Sequence, residues 1–339
     1  MLYITTRNKI DSFTAHKVLR DGFAPDGGQF LPIRMPQYTR EQMRGIMEMP
    51  FCDVVAHVLN GFFSANLTGW DVEFAIGKWP VKFSSIGRKI TVAEFWHNTD
   101  HSMNYAIDRL YRRLCGQDVC SANAKGWALI AIRIAFVFAV YAQLHQEQIF
   151  VDDVAVTGAD LDAMMAVWYA KKMGLPVGLI LCGTNENCSF WDLLNKGQMD
   201  TGAAVVHTKT PAMDQTVPLG IERLIYEIMG REEALVYWQQ VEKKETYRVP
   251  EKYRQELGRG IICSVVSDNR VADLMNSIYR TNGYFIDPYM AICYGTLQDY
   301  RARTGENRMT LIFSECEPAV YAKTIAAVTG VPEGKIKNN

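Results

Sequence analysis

Short apolar runs alternate with helical patterns between residues 149 and 182. Residues 149–158 form an apolar run that ends at a glycine, residues 160–173 have helical spacing, and residues 174–182 form a second apolar run. Parallel strands need such a crossover, which is usually a helix. We therefore predict a βαβ unit over residues 150–182. Because the alternation extends over the chain after residue 89, we predict an α/β fold with a mostly parallel twisted sheet and flanking helices.

The N-terminal part of the chain has helical spacing. Apolar residues recur three and four positions apart over 36–60, after Thr39 and Gln42, which have the spacing of a capping box. Residues 243–259 also have a charged, helical pattern. We predict that residues 1–88 form an N-terminal arm and helices and that residues 89–339 form an α/β large domain. The two parts are expected to pack together as one compact unit.

One predicted helix, Trp127–Tyr141, is apolar almost all round. The longest apolar run of the chain, Ile130–Ala142, contains Arg133. This run is shorter than the about 20 residues that are needed to cross a bilayer. We therefore interpret it as a buried helix rather than a membrane span. A helix without a polar face is buried on several sides, either by the core of its own chain or by a second copy. We favour the second explanation and predict a homodimer.

Composition narrows the classes of function. The 339 residues include 36 basic and 37 acidic ones that are well mixed, so no basic surface for nucleic acid or an anionic membrane is expected. A small-molecule ligand fits better, although the sequence does not identify it. The eight cysteines form no C-x-x-C pair, and the first residues lack the pattern of a signal peptide, which favours reduced thiols and a cytoplasmic location.

Several motifs occur in the order found in a known family. The segments Tyr3–Arg7 and Gly22–Pro32 resemble the Y-x-S-T-R-G and G-L-A-P-D-G-G-L-F-V-P-E motifs of threonine synthases. Further matches lie at Thr184–Asn187, at 211–226, which resembles S-M-D-I-x-V-P-S-N-F-E-R-L, and at 283–291. The chain is similar to this family over nearly its whole length. The resemblance implies the type II fold of pyridoxal phosphate (PLP) enzymes.

The stretch Glu94–Tyr105 departs from the family at its most important position. It reads EFWHNTDHSMNY where threonine synthases have a segment like E-L-F-H-G-P-T-L-A-F-K-D, whose lysine forms a Schiff base with PLP. Glu94 and His97 match, but Asn104 occupies the lysine position. An amide nitrogen is not a nucleophile and forms no imine with an aldehyde. We therefore expect no covalently bound PLP, although PLP is the cofactor of the parent family.

Other family features are replaced as well. The remnant of the phosphate loop keeps Thr157 and Gly158, but Ala159 and Asp160 follow, and a carboxylate repels a phosphate. Asp160 has a simpler interpretation as an N-terminal helix cap. Glu315 stands where the family has a Thr or Ser that contacts the ring nitrogen. The S-G-D-T-G motif of the smaller domain does not occur in the sequence, which predicts that this domain is deleted.

Two hypotheses about function follow. The first is a non-catalytic, threonine-synthase-like binding or partner protein that needs no cofactor. The second is an enzyme that reuses the remnant cleft, either for PLP-type threonine synthase or lyase chemistry or for an acid–base or metal-dependent reaction of His97, Asp100, His101 or Glu315. His97 and His101 are four residues apart, a spacing that can bind a metal on a helix, but no third ligand is identifiable and a surface pair is the simpler interpretation.

Overall fold

The computed structural model describes residues 1–8, 11–79, 81–97, 103–116 and 126–336. Its strands form three sheets of three, six and two strands. The strands are β1 Leu2–Thr5, β2 Phe13–Thr14, β3 Phe30–Pro32, β4 Lys82–Ser85, β5 Ile90–Glu94, β6 Asp153–Thr157, β7 Ile180–Thr184, β8 Gln198–Asp200, β9 Thr246–Arg248, β10 Ile261–Val265 and β11 Thr310–Ser314.

Helices surround the largest sheet. They are α1 Ala15–Asp21, α2 Arg40–Met47, α3 Phe51–Phe63, α4 Gly69–Ile76, α5 Met103–Cys115, α6 Trp127–Gln146, α7 Asp162–Lys172, α8 Ser189–Lys196, α9 Gly220–Met229, α10 Arg231–Lys243, α11 Arg254–Leu257, α12 Asp268–Asn282, α13 Pro288–Thr304 and α14 Ala322–Thr329.

The six-stranded sheet has the order β10-β7-β6-β11-β5-β4, and only the edge strand β4 runs antiparallel to its neighbour. The predicted βαβ unit is formed by β6, α7 and β7, with β6 and β7 paired in parallel from Val154↔Ile180 to Thr157↔Gly183. The mostly parallel α/β fold is thus confirmed. The carboxyl ends of β5, β6, β7 and β11 meet at one edge of the sheet, which is where open α/β sheets bind ligands.

Helix α6 lies in the core of the chain between α3 and α7. It has 20 residues, so by length and composition it is the one described helix that could cross a membrane. The prediction that its apolar stretch is too short to cross a bilayer was therefore wrong. Most of the helix is buried against the rest of the chain, from Trp127 to Leu144, as a core helix would be. The predicted buried helix is confirmed, and packing within one chain already explains its apolar surface.

Two local predictions have different outcomes. The capping box at the start of α2 is formed, since Thr39 accepts the backbone N–H of Gln42 and the Gln42 side chain accepts that of Thr39. The predicted helical segment over 243–259 is formed only in part, as α11 over Arg254–Leu257. Strand β9 interrupts it and pairs with β8, and Tyr247 on this strand is buried against Tyr237. Burial of an aromatic side chain in a hairpin outweighs the helical propensity of the charged residues.

The N-terminal arm is fixed to the rest of the molecule by long-range contacts. The Tyr3 hydroxyl donates to the Phe62 carbonyl at 2.7 Å, and Arg7 donates to Glu222 at 3.0 and 2.8 Å. Both partners of the ion pair are nearly buried. The seven cysteines within the described residues are free, and Cys120 lies outside them.

Candidate functional site

A cavity of about 370 Å³ lies at the carboxyl edge of the main sheet. Its wall is formed by the starts of α5 and α6, the β6–α7 loop, the start of α13 and the residues that follow β11. Its size is that of a site for a small organic molecule. Three of the sequence-derived groups of site residues come together here: Asn104, the loop residues Thr157, Ala159 and Asp160, and Glu315.

Asn104 lies in the first turn of α5 and lines the cavity with its exposed side chain. None of the described residues that line the cavity is a lysine. The described wall therefore offers no amine for an imine.

The β6–α7 loop has an unusual backbone. Asp160 and Leu161 have φ values of 45° and 60°, in the left-handed region that favours glycine. The carbonyl of Asp160 accepts the backbone N–H of Gly220 at 3.0 Å, and a Cβ on Gly220 would lie 2.6 Å from the Leu161 Cβ. This tight packing against α9 holds both residues in the strained conformation.

The predicted role of Asp160 as a helix cap was wrong. Helix α7 begins after Leu161, and the side chain at the cap position accepts no hydrogen bond from the first turn. Asp160 instead lines the cavity with Asp162 and Ala163. The left-handed turn displaces Asp160 by one residue from the cap position, so tertiary packing has overruled a local preference.

Arg133 and Glu315 form a two-point ion pair in the cavity wall. The two terminal nitrogens of the guanidinium each donate a hydrogen bond to one carboxylate oxygen, and the Nη2–Oε2 distance is 3.0 Å. Burial lowers the pKa of Arg133, but the charge of Glu315 and the hydrogen bonds to it raise this pKa above its ordinary value. Glu315, the residue in the place of the family's ring-nitrogen ligand, is therefore held by a guanidinium.

Two further carboxyl groups face the cavity from helix starts. Burial raises the pKa of Asp162 to about 7, with Arg133 and Arg223 opposing the rise and Asp160 and Glu315 adding to it. Burial also raises the pKa of Asp287 to about 6, although its Oδ1 accepts the backbone N–H groups of Tyr289 and Met290 as the cap of α13. Raised carboxyl pKa values in a cavity are typical of functional sites.

The remaining wall is apolar except for hydroxyl groups. Leu129, Val156, Phe313 and Met290 contribute hydrocarbon surface. Ser314 is nearly buried and lines the cavity, and its Oγ has no hydrogen-bond partner among the described residues. A buried hydroxyl without a hydrogen-bond partner lowers the stability of the protein. A ligand that forms a hydrogen bond with Ser314 would remove this unfavourable contribution.

A polar network holds the loop that carries Ala212 and Leu219 against the cavity. Asp214 accepts hydrogen bonds from the Thr208 backbone and hydroxyl at 2.8 and 2.6 Å and from the Asn185 amide at 2.8 Å. Asn187 adds a fourth at 3.2 Å. Two of the motif segments, 184–187 and 211–218, are thereby joined.

His97 lies outside this cavity. Its Nε2 pairs with buried Glu94, which also accepts the Tyr284 hydroxyl at 2.6 Å. Asp100 and His101 lie outside the described residues. Within the described ranges, no group of three or more His, Cys, Asp or Glu side chains is arranged to hold a metal ion.

The residues present do not fit PLP as the family uses it. Asn104 has an amide in place of an amine, and Asp160 adds a carboxylate to the wall at the β6–α7 loop. Among the described lining residues, the one cation is Arg133, which is paired with Glu315. A dianionic phosphate needs cationic or N–H donors that are free to bind it.

Sequence reasoning did not identify Arg133, Asp162, Asp287 or Ser314 as site residues. One signal was present for Arg133, because it is the only Arg, Lys, Asp or Glu in the 20 residues of α6. A lone charge in an apolar helix needs a buried partner or a polar cavity. Asp287 lies in the motif segment 283–291 and precedes a proline, which was a signal for it, whereas Asp162 and Ser314 have no distinctive local pattern.

Comparisons with known proteins agree with this fold. Residues 2–78 match the family model described as "Threonine synthase N terminus". The chain is 23% identical over 185 residues to threonine synthase-like 1 of Macaca fascicularis, which covers 52% of this chain and 25% of that protein. It is 28% identical over 210 residues to threonine synthase of Serratia marcescens, which covers 62% of this chain and 42% of that one. The chain thus matches only a quarter to less than half of these proteins' length.

A solved structure extends the likeness to the whole chain. The PLP-bound threonine synthase of Brucella melitensis superposes with a TM-score of 0.86 at 18% identity, over 98% of this chain and 92% of that one. Such coverage does not support the predicted deletion of the smaller domain, although only residues 116–126 separate α5 from α6 here. At this identity the likeness shows the fold. Together with the match over residues 2–78, it shows that the chain has the fold of threonine synthases.

Proposed function

We propose that this threonine synthase-like protein forms no Schiff base with PLP and uses the cavity as a noncovalent site for a small organic ligand. The observation that carries the proposal is Asn104 in the cavity wall, together with the lack of a lysine among the described lining residues. An enzyme of the PLP type needs an amine at this place.

The charge of the wall supports the same proposal. Two like charges 4 Å apart repel each other by about 4 kcal/mol at an effective dielectric constant of about 20. The phosphate of PLP would face Asp160 on the β6–α7 loop, and the part of the wall that the structure describes has no unpaired cation to offset this repulsion. We infer that no cofactor is needed and that the protein is a binding or partner protein rather than a PLP enzyme.

Absorbance spectroscopy and mass spectrometry test this proposal. Purified protein is mixed with PLP, treated with borohydride and digested. We expect no imine band and no reduced pyridoxyl group on peptides that contain cavity residues. An imine band that borohydride abolishes, with the label on one lysine at the cavity, would show that the protein is a PLP enzyme after all. Labelling spread over surface lysines is nonspecific and leaves the proposal standing.

A second candidate is an acid–base enzyme in the same cavity. The raised pKa values of Asp162 and Asp287, near 7 and 6, favour it because such carboxyls can exchange protons at neutral pH. His97 is paired with Glu94 outside the cavity, so these two carboxyls are better candidates than the histidine. Turnover of any bound ligand that is lost in the Asp162→Asn variant, with binding retained, would establish this second function.

We also propose a cytoplasmic location, from the cysteine pattern of the sequence, and keep the homodimer as a proposal that light scattering decides. The apolar surface of α6 no longer argues for it, because its own chain buries that helix. Light scattering at micromolar concentration decides the oligomeric state, and a mass of 38.4 kDa would refute the dimer.

A further inference from the structure

We infer that the cavity selects a small organic cation, an ammonium group on a compact apolar body, over neutral and anionic molecules. This inference rests on the proposed function and names the ligand class of the same site. Among the described residues that line the cavity, four carry carboxyl groups: Asp160, Asp162, Asp287 and Glu315. One described lining residue, Arg133, carries a guanidinium.

The sign of the charge does not depend on which of these carboxyls are ionised. With all four ionised, four negative charges against one positive charge leave −3 on the described wall. With Asp162 and Asp287 both protonated, two against one still leave −1. The other titratable side chains in the wall are neutral at pH 7, since burial raises the pKa of Cys316 to about 12 and also raises those of Tyr289 and Tyr321.

Among the described residues, Asp160, Asp162 and Asp287 form no ion pair, although the charges of Arg133 and Arg223 lower the pKa of Asp162. Arg133 donates one N–H from each of its two terminal nitrogens to Glu315. Asp287 uses one oxygen, Oδ1, for the backbone of α13. An ammonium group can donate three hydrogen bonds and would neutralise a carboxyl that desolvation now disfavours as an anion.

A second observation points to a ligand independently of the carboxyl groups. Ser314 lines the cavity and is 2% exposed, and its Oγ has no hydrogen-bond partner among the described residues. The hydroxyl can accept a hydrogen bond from an ammonium group or donate one to a ligand oxygen. Leu129, Phe313 and Met290 provide the apolar surface that a hydrocarbon body would cover.

Three small molecules of nearly the same shape test the charge preference: benzylamine, benzyl alcohol and benzoate. Their binding to the full chain is measured by calorimetry and by ligand-observed NMR at pH 7.5 and low salt. We expect the benzylammonium ion to bind at least about 10-fold more tightly than benzyl alcohol, and benzoate to bind more weakly than either. Equal binding of all three, tighter binding of benzoate, or no binding of the amine overturns the inference.

Two near-isosteric variants place the effect in the cavity. Asp162→Asn and Asp287→Asn remove charge while Asn keeps the capping ability at position 287. Each is expected to weaken the binding of benzylamine several-fold and to leave the binding of benzyl alcohol unchanged. The control is Asp273→Asn, which removes an exposed carboxylate on α12 and should change the binding of neither molecule. If both variants bind the amine as wild type does, the site is elsewhere and the inference fails. Circular dichroism verifies folding, and the charge series on wild type stands even if one variant unfolds.

This test is separate from that of the proposed function. A preference for benzoate would overturn the cationic ligand and leave noncovalent binding intact. A borohydride-trapped imine at a cavity lysine would overturn the proposed function, whatever the amine does.

Discussion

Arg133 and Glu315, 182 residues apart, form a two-point ion pair that joins helix α6 to the segment after β11. Their side chains are 14% and 27% exposed, so water screens the pair only in part. Removing one partner of a largely buried pair leaves an uncompensated charge. The pair thus stabilises the cavity wall and fixes the orientation of Glu315.

We predict that Arg133→Met lowers the free energy of unfolding by about 2–3 kcal/mol. The double variant Arg133→Met with Glu315→Gln should be more stable than the sum of the single effects, because it also removes the stranded carboxylate. Urea unfolding of the four proteins measures this coupling. As a control, Arg259→Gln breaks an exposed pair with Glu256 and should cost less than about 1 kcal/mol. Additive single effects would show that the pair is not coupled.

The raised pKa of Asp162 predicts a stability that falls with rising pH. Between the unfolded pKa near 3.8 and the folded value of about 7, the native state binds the proton more tightly than the unfolded chain does. Unfolding then releases protons, so stability decreases as the pH rises through this window. Above pH 7 the ionised carboxyl is unfavourable in the native state.

We therefore predict that Asp162→Asn is more stable than wild type at pH 8 by about 1–3 kcal/mol and flattens the pH dependence. Urea unfolding at pH 5, 6, 7 and 8 measures it, with Asp273→Asn as the exposed control. The groups around Asp162 are Asp160, Glu315, Arg133 and Arg223. Wild-type stability that rises between pH 5 and 8, with no change in the variant, would contradict the assignment.

Asp214 supports the loop over the cavity through four hydrogen bonds. Asp214→Ala removes all four bonds, although Asn185 and Asn187 keep other acceptors, and should cost about 2–3 kcal/mol of the free energy of unfolding, because bonds to a charged group are the stronger kind. Hydrogen exchange over residues 203–216 should accelerate with it. Asp200→Ala, which loses one exposed bond to the Gly202 backbone, is the matched control. Unchanged exchange in Asp214→Ala would mean that the network does not hold the loop.

Restoring the lysine should not restore cofactor binding. In Asn104→Lys the new amine can form an imine, but the phosphate would still face Asp160 without a free cation. We expect no borohydride-trapped pyridoxyl label beyond that on the surface lysines of wild type. Adding Asp160→Gly removes the carboxylate and suits the left-handed φ of 45°. A label on the single variant would show that the lost lysine is the only barrier.

The sequence predicted the parts of the site that lie at strand ends. Thr157, Asp160 and Glu315 follow parallel strands, and such ends share one edge of the sheet. The role of Asp160 was wrong because the contact of Gly220 with the loop, 60 residues further on, sets the backbone there. Partners such as Asp214 and Asn185 could not be predicted, since hydrogen bonds between segments depend on the packed structure rather than on local pattern.

The carboxyl of Asp287 is at once a wall of the cavity and the cap of a 17-residue helix. Its Oδ1 holds the first two amides of α13, which runs beneath β6, β7 and β10. A change in the charge of this carboxyl, by a proton or by a bound ligand, alters the strength of those two bonds. The chemical shifts and exchange rates of the amide protons of Tyr289 and Met290 should therefore change with the state of the cavity. They can be measured without attaching a probe to the cavity itself.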